Sequence, residues 1–270
     1  MSSQTLTTGE SALPTLKSPL LEAIPMVRHG FSTRRGGVSP GPFASLNLGM
    51  NTADDPKRVA ANRGRLARSL GSGFLDLVCA TQIHSDDIVQ IRAGETIERE
   101  ADALWSKHSG VAVGITVADC VPLLFADTRG AAVAAVHAGW RGTHKKIGPK
   151  MVGQFREAGI PLEAIRVALG PAIGPCCFSI GEDVVEKFHE QFDWAQLAIS
   201  KSTNHGWTAD LWEINRRSLM DSGVRDIHID TLRHCTFCDS RFFSYRRDRG
   251  NTGRQAGVIG IANPGDQGSQ

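Results

Sequence analysis

The strongest constraint on the fold lies between Gly110 and Trp140, in the run GVAVGITVADCVPLLFADTRGAAVAAVHAGW. Three stretches of small, β-branched and aliphatic residues follow one another there, separated only by ADC and DTRG. Apolar runs of this length bounded by turn residues read as buried strands. Asp119 and Pro122 interrupt the tract, so it is not a membrane-spanning helix.

Around this centre, strands and helices alternate irregularly. MVRHGFSTR, LVCATQIHSDDIVQI (two strands with a corner at Gln82–Asp86), IRVAL, IHIDTLRHCTF and QAGVIGIA read as further strands. DDPKRVAANRGRLARSLG has a helical pattern that Asp54 or Asp55 can cap and Gly71 can end. THKKIGPKMVGQFREAG reads as one helix ending at Gly159, with EDVVEKFHEQF and LWEINRRSLMDSG as two more. Helices lie between strands, yet several strands succeed one another through tight turns. That mixture predicts an α+β domain with a mixed sheet rather than a doubly wound parallel one. Residues 1–24 read as a flexible tail, 25–263 as a single catalytic domain and 264–270 as a C-terminal tail. Neither G-x-x-x-x-G-K-[ST] nor G-x-G-x-x-G occurs, so no P-loop or dinucleotide fold is implied.

Thirty basic residues balance 28 acidic ones, for a net charge of +2. That balance points to neither a nucleic-acid nor a membrane partner. The six cysteines are unnecessary as staples in a chain of 270 residues. No basic segment followed by an apolar one opens the sequence. The expected compartment is therefore reducing and cytoplasmic, with thiols free for metal or catalysis.

Three candidate ligands fall at strand ends: His84 in TQIHSDD, Cys120 in VADCVP and His137 in AVHAGW. Two histidines and a cysteine form a known catalytic metal set with an open position. Taken singly, each reads first as a structural residue: a small buried cysteine, or a histidine satisfied at a strand end. Cys176, Cys177, Cys235 and Cys238 (GPCCF and CTFC) form a rival set for a structural zinc, although adjacent cysteines seldom share one ion well; the plainer reading is thiols beside a loop. RFFSYRRDRGNTGR holds Arg241, Arg246, Arg247, Arg249 and Arg254 beside Tyr245. Guanidinium groups suit phosphate or carboxylate, and a charged turn accounts for the same residues. Arg141, four residues past His137, is a more specific anion holder.

Taken in order, HGFSTRRGGVS…SLNLG, QIH, ADC, AVHAGWRGT, GPAIGPCCF and CTFCDSRFFSYRRD…TGRQAGVIG resemble the purine nucleoside phosphorylase family once called multicopper polyphenol oxidase, which is laccase-like and includes the peptidoglycan editing factor. The likeness runs from about His29 to Ile261. It implies one α+β domain of mixed sheets with outer helices. It implies a zinc site of His84, Cys120 and His137. It also implies phosphorolysis of adenosine and inosine to base and ribose 1-phosphate, with related adenosine deamination and methylthioadenosine cleavage. Asp119 is then a candidate acid/base or supporting partner of the metal set. Arg141, Arg63, Arg246 and Asn47 (SLNLG) are candidate contacts for substrate and phosphate. Ser85 stands where the family more often has glycine.

Three rivals remain at this level. A copper phenol oxidase would fit a His2Cys copper centre, but none of the nine histidines forms the His-x-His pair of a trinuclear copper cluster; zinc, ahead of copper, is what the resemblance implies. A cysteine hydrolase acting on peptidoglycan precursors would use Cys120 as nucleophile and His137 as base. A non-enzymatic nucleotide-binding module would leave the three ligand-type residues without a purpose.

Overall fold

The computed structural model describes residues 13–263 apart from 72, 75–76, 96–98 and 203–205. The expected three-strand tract is its centre: Ala112–Val117, Val121–Asp127 and Val133–Ala138. The fold is α+β, with mixed sheets. A six-stranded sheet runs in the order 229–231, 165–169, 121–127, 133–138, 103–106, 88–91. It is antiparallel at its centre, with a parallel pair at each edge. A five-stranded sheet runs 15–16, 27–32, 255–261, 112–117, 77–78. A small antiparallel sheet joins 179–180, 206–209 and 199–202.

Alternation along the strands explains the layering. Leu123 and Phe125 face one way, into a cluster with Met151, Phe155 and Leu219 of the covering helices. Leu124 and Ala126 face the other way, against Val113, Ile115, Val117 and Ile259 of the second sheet. The period-2 pleat thus makes one strand apolar on both faces. The outer face of the five-stranded sheet, at Ala112, Ala256 and Val258, is closed by Leu66, Leu70 and Phe74. Leu66 lies on the helix Pro56–Ser69, whose start is capped by Asp55 through Lys57 N.

Two expectations need correction. The stretch read as a helix up to Gly159 is two helices, Trp140–His144 and Ile147–Glu157, parted by Lys146 at φ 59°. Pro149 gives the reason. Inside one continuous helix its ring would meet the carbonyl of residue 145, whereas in the first turn of a new helix it is tolerated. Gly159, at φ 84°, ends the second helix as expected.

The expected tail also does not extend to residue 24. Thr15 and Leu16 pair with Phe31 and Ser32. Ser18 N donates to His29 Nε2 and its hydroxyl to Asp230. Leu21 is fully buried. Residues 1–12 and the expected C-terminal tail, 264–270, lie outside the described residues. Leu21→Ala is expected to cost about 2–5 kcal/mol in a urea titration, the usual effect of emptying a buried leucine site; a loose tail would show no change.

Candidate metal centre

The sheet register assembles the site. Val121 pairs with Ala138 and Pro122 with His137, so Cys120, just before one strand, comes beside His137, near the end of the next. His84 arrives from the corner between Leu77–Val78 and Ile88–Ile91. One buried carboxylate shapes that corner. Asp102 is inaccessible to solvent and accepts from Ile83 N (3.2 Å), His84 N (3.1 Å), Ser85 N (2.6 Å) and Ser85 Oγ (2.9 Å). Three successive N–H groups wrapped on an anion form a nest, and His84 takes φ 60° to complete it. Asp102 also bonds His137 Nδ1 at 2.7 Å.

The ligand atoms of His84, Cys120 and His137 lie within 4.8 Å of one another. The sulfur of Cys120 is 4.0 Å from His84 Nε2. With Nδ1 of His137 held by Asp102, Nε2 is left for a metal, the carboxylate–histidine arrangement common in metal sites. A cradle of bare backbone completes the fit. A Cβ on Gly139 would lie 2.9 Å from Cys120 Sγ and 3.2 Å from His84 Cδ2. Gly139 has φ −67°, so glycine is needed here for close approach rather than for turning.

Charge matches this geometry. Burial alone would raise the Cys120 thiol, but the charge and hydrogen bond of His137, with His84, bring it down to about 6. Burial would likewise lower His137, yet the Cys120 thiolate and Asp102 push it up to about 9. Burial would raise Asp102, and the bonds and charge of His137 and the Ser85 donors hold it down to about 2. Without metal, each partner's charge favours the other's, so the pair leans toward thiolate and imidazolium near neutral pH. Iodoacetamide alkylation of Cys120 in metal-free protein, followed by peptide mass spectrometry, should rise with a midpoint near pH 6 rather than near the ordinary thiol value. Zinc should suppress it.

The set forms the floor of a cavity of about 790 Å³ lined also by Arg63, Arg246, Arg254, Tyr245, Phe178, Gln82 and Asp119. Of the expected contacts, Arg63 and Arg246 therefore reach the pocket. Arg141 does not line it: it is exposed and stacks on Trp140, 4.3 Å from the ring. Asn47 is fully buried, and its amide is already used. It donates to Thr52 and Asp54 and accepts from Gly49 N and Arg254 N. Those bonds tie it to the loop 49–54 and to Arg254 N. Asp119, at φ 89°, accepts Thr236 Oγ1 on one oxygen (2.6 Å) and Arg246 N on the other (2.7 Å). With both oxygens engaged, it ties the segment 236–246 to the pocket.

Sequence reasoning missed Asp102 and Arg254 as site residues. Arg254 had appeared only within an arginine-rich run, and Asp102 lies in EREADALW, which carries no motif.

The mixed-sheet α+β domain thus carries a His2Cys set within an arginine-lined pocket. The chain belongs to the family described as multi-copper polyphenol oxidoreductase laccase, whose family model matches residues 28–262. Within it, the chain is 39% identical over 244 residues to purine nucleoside phosphorylase YlmD of Geobacillus stearothermophilus, covering 86% of this chain and 89% of the relative. It is 40% identical over 249 residues to a purine nucleoside phosphorylase of Deinococcus radiodurans, covering 92% and 93%. The crystal structure of YlmD from Geobacillus stearothermophilus superposes with TM-score 0.84 at 35% identity, covering 94% of this chain and 98% of that one. The Neisseria meningitidis protein NMB0706 gives 0.83 at 34% identity, covering 94% and all of that chain. Among the described residues no helix is long and apolar enough to cross a membrane.

Proposed function

We propose that this protein is a purine nucleoside phosphorylase that cleaves adenosine and inosine with orthophosphate, using zinc held by His84, Cys120 and His137. The observation that carries the reading is that three arginines, Arg63, Arg246 and Arg254, line the same cavity as the His2Cys set. A phosphate dianion is suited to such planar donors. In phosphorolysis a phosphate oxygen bonds to ribose C1′ as the C1′–N9 bond breaks; the electron pair leaves with the purine, which takes up a proton. The arginines hold the nucleophile and offset its charge, and Phe178 and Tyr245 offer flat faces to the base. Asp102 keeps His137 oriented, with the proton on Nδ1, so that Nε2 would be free to hold a metal. A metal held by His84, Cys120 and His137 would supply Lewis-acid polarisation. Adenosine deamination and methylthioadenosine cleavage would use the same pocket.

Incubating zinc-loaded protein with adenosine, with and without phosphate, tests the reading. Phosphate-dependent release of adenine with ribose 1-phosphate is expected. Inosine formed independently of phosphate would instead mark a deaminase, and absence of either product would sink both. One observation favours a second reading: Cys120, His137 and Asp102 are arrayed like a thiol nucleophile, base and orienting acid. Activity that persists after complete zinc removal would select that cysteine-hydrolase reading. Several coppers per chain would select the oxidase.

A further inference from the structure

Four cysteines outside the pocket also converge. Cys176 and Cys177 sit in the turn after Gly174, where Cys177 N and Phe178 N both bond Gly174 O at 2.9 Å. Cys235 and Cys238 belong to a C-x-x-C loop. The two loops meet through a bridge between Ala172 and Cys235, with Thr236 N donating to Ala172 O at 2.9 Å. All four sulfurs lie within 4.8 Å of one another. Cys238 Sγ is 3.3 Å from that of Cys177 and 3.8 Å from that of Cys176. Zinc–sulfur bonds of about 2.3 Å in a tetrahedron require sulfur–sulfur edges of about 3.8 Å. The turn thus directs both adjacent cysteines to one side, which removes the geometric objection to neighbouring ligands.

Two more features are those of a ligand cradle. Gly174 N donates to Cys235 Sγ at 3.2 Å, the N–H to sulfur bond that supports a bound thiolate. A Cβ on Gly174 would crowd Cys176 Sγ and Cys235 Cβ, each at 3.3 Å. The cluster therefore repeats, with sulfur alone, the bare-backbone approach seen at Gly139. Four thiolates on one centre suit a closed structural zinc site rather than a catalytic one.

We propose that Cys176, Cys177, Cys235 and Cys238 bind a second zinc ion, which clamps the 172–178 loop to the 234–239 loop behind the pocket wall. The clamp bears on the pocket because Ile173 and Phe178 on one side, and Tyr245 and Arg246 after the other, line it. The site is independent of the His2Cys centre and of the reaction proposed there.

The test separates the two sites. Cys120→Ser disables the pocket set, and Cys177→Ser/Cys238→Ser disables the cluster. Full-length proteins made in zinc-sufficient medium are analysed for metal, then stripped and reloaded with cobalt. Cys120→Ser protein should retain one zinc per chain and, with cobalt, show the strong sulfur-to-metal and tetrahedral bands of a four-thiolate site. Adding the double substitution should abolish both, with far-ultraviolet circular dichroism confirming the fold. Should that variant not fold, mercurial titration of Cys120→Ser protein should release its one zinc as the cluster thiols react. A Cys120→Ser protein without zinc, copper in the cluster instead of zinc, or a Cys177–Cys238 disulfide in protein prepared without air would overturn the proposal.

Discussion

Asp102→Ala should cost about 3–5 kcal/mol of stability, because it removes one partner of a buried ion pair and leaves the other uncompensated. Five donors converge on this carboxylate: three successive backbone N–H groups, the Ser85 hydroxyl and His137 Nδ1. None finds a replacement acceptor in alanine, and each orphaned donor carries a desolvation penalty. Urea unfolding measures the loss. Asp102→Asn separates the stability effect from the site effect. Its carbonyl still accepts part of the nest, so the variant should fold with a lowered Tm. Its amide N–H groups, however, face Nδ1 of His137 and favour the tautomer with the proton on Nε2, the atom needed by the metal. Zinc affinity should then fall by about 10–100-fold, and an unchanged affinity would refute the assigned orientation. The pH dependence has a definite sign. The folded-state pKa of Asp102 is depressed to about 2, so its stabilisation is full above the ordinary carboxylate range and fades as pH falls toward that value.

Much of the scaffold can be read from the chain because its cause is local. The strands around ADC and DTRG follow from apolar runs bounded by turn residues, and the Asp55 cap from one side chain beside one N–H. The three residues that converge, His84, Cys120 and His137, were also visible as metal-binding types near strand ends. What failed was what depends on distant partners. Arg141 has the right chemistry and sits four residues from a ligand, but its helix carries it onto Trp140 and away from the pocket. The environment of Asn47, fully buried with four side-chain hydrogen bonds, likewise depends in part on Arg254, far along the chain. Asp102 has no motif because its role arises only when strand 103–106 pairs with 133–138 and brings it against His137. The helix break at Lys146 is an intermediate case: Pro149 lies three residues beyond it, and the buried apolar residues of the second helix, Ile147, Met151, Val152 and Phe155, all follow it.

Gly139→Ala should have the largest effect on function for the smallest change in the fold. Backbone strain is not involved, because φ −67° and ψ 172° are open to any residue, and Tm should stay near that of the parent. The added methyl carbon, however, would lie 2.9 Å from Cys120 Sγ and 3.2 Å from the His84 ring. Neither neighbour can yield easily. Cys120 is fixed at the entry to a fully buried strand, and His84 is pinned through its own N–H to Asp102. One ligand must move, and a displacement of about 1 Å at a reacting centre is enough to cost about 10²-fold in rate. Zinc affinity by competition with a chromogenic chelator and turnover of adenosine should therefore fall together, while the urea midpoint hardly changes. Gly153→Ala is the control: a Cβ there meets nothing within 4 Å, so zinc affinity and turnover should stay unchanged, while replacing a glycine inside the helix Ile147–Glu157 should raise stability by about 0.5–1 kcal/mol. If Gly139→Ala kept full zinc affinity and turnover, neither the metal nor the reaction could depend on the spacing of His84, Cys120 and His137.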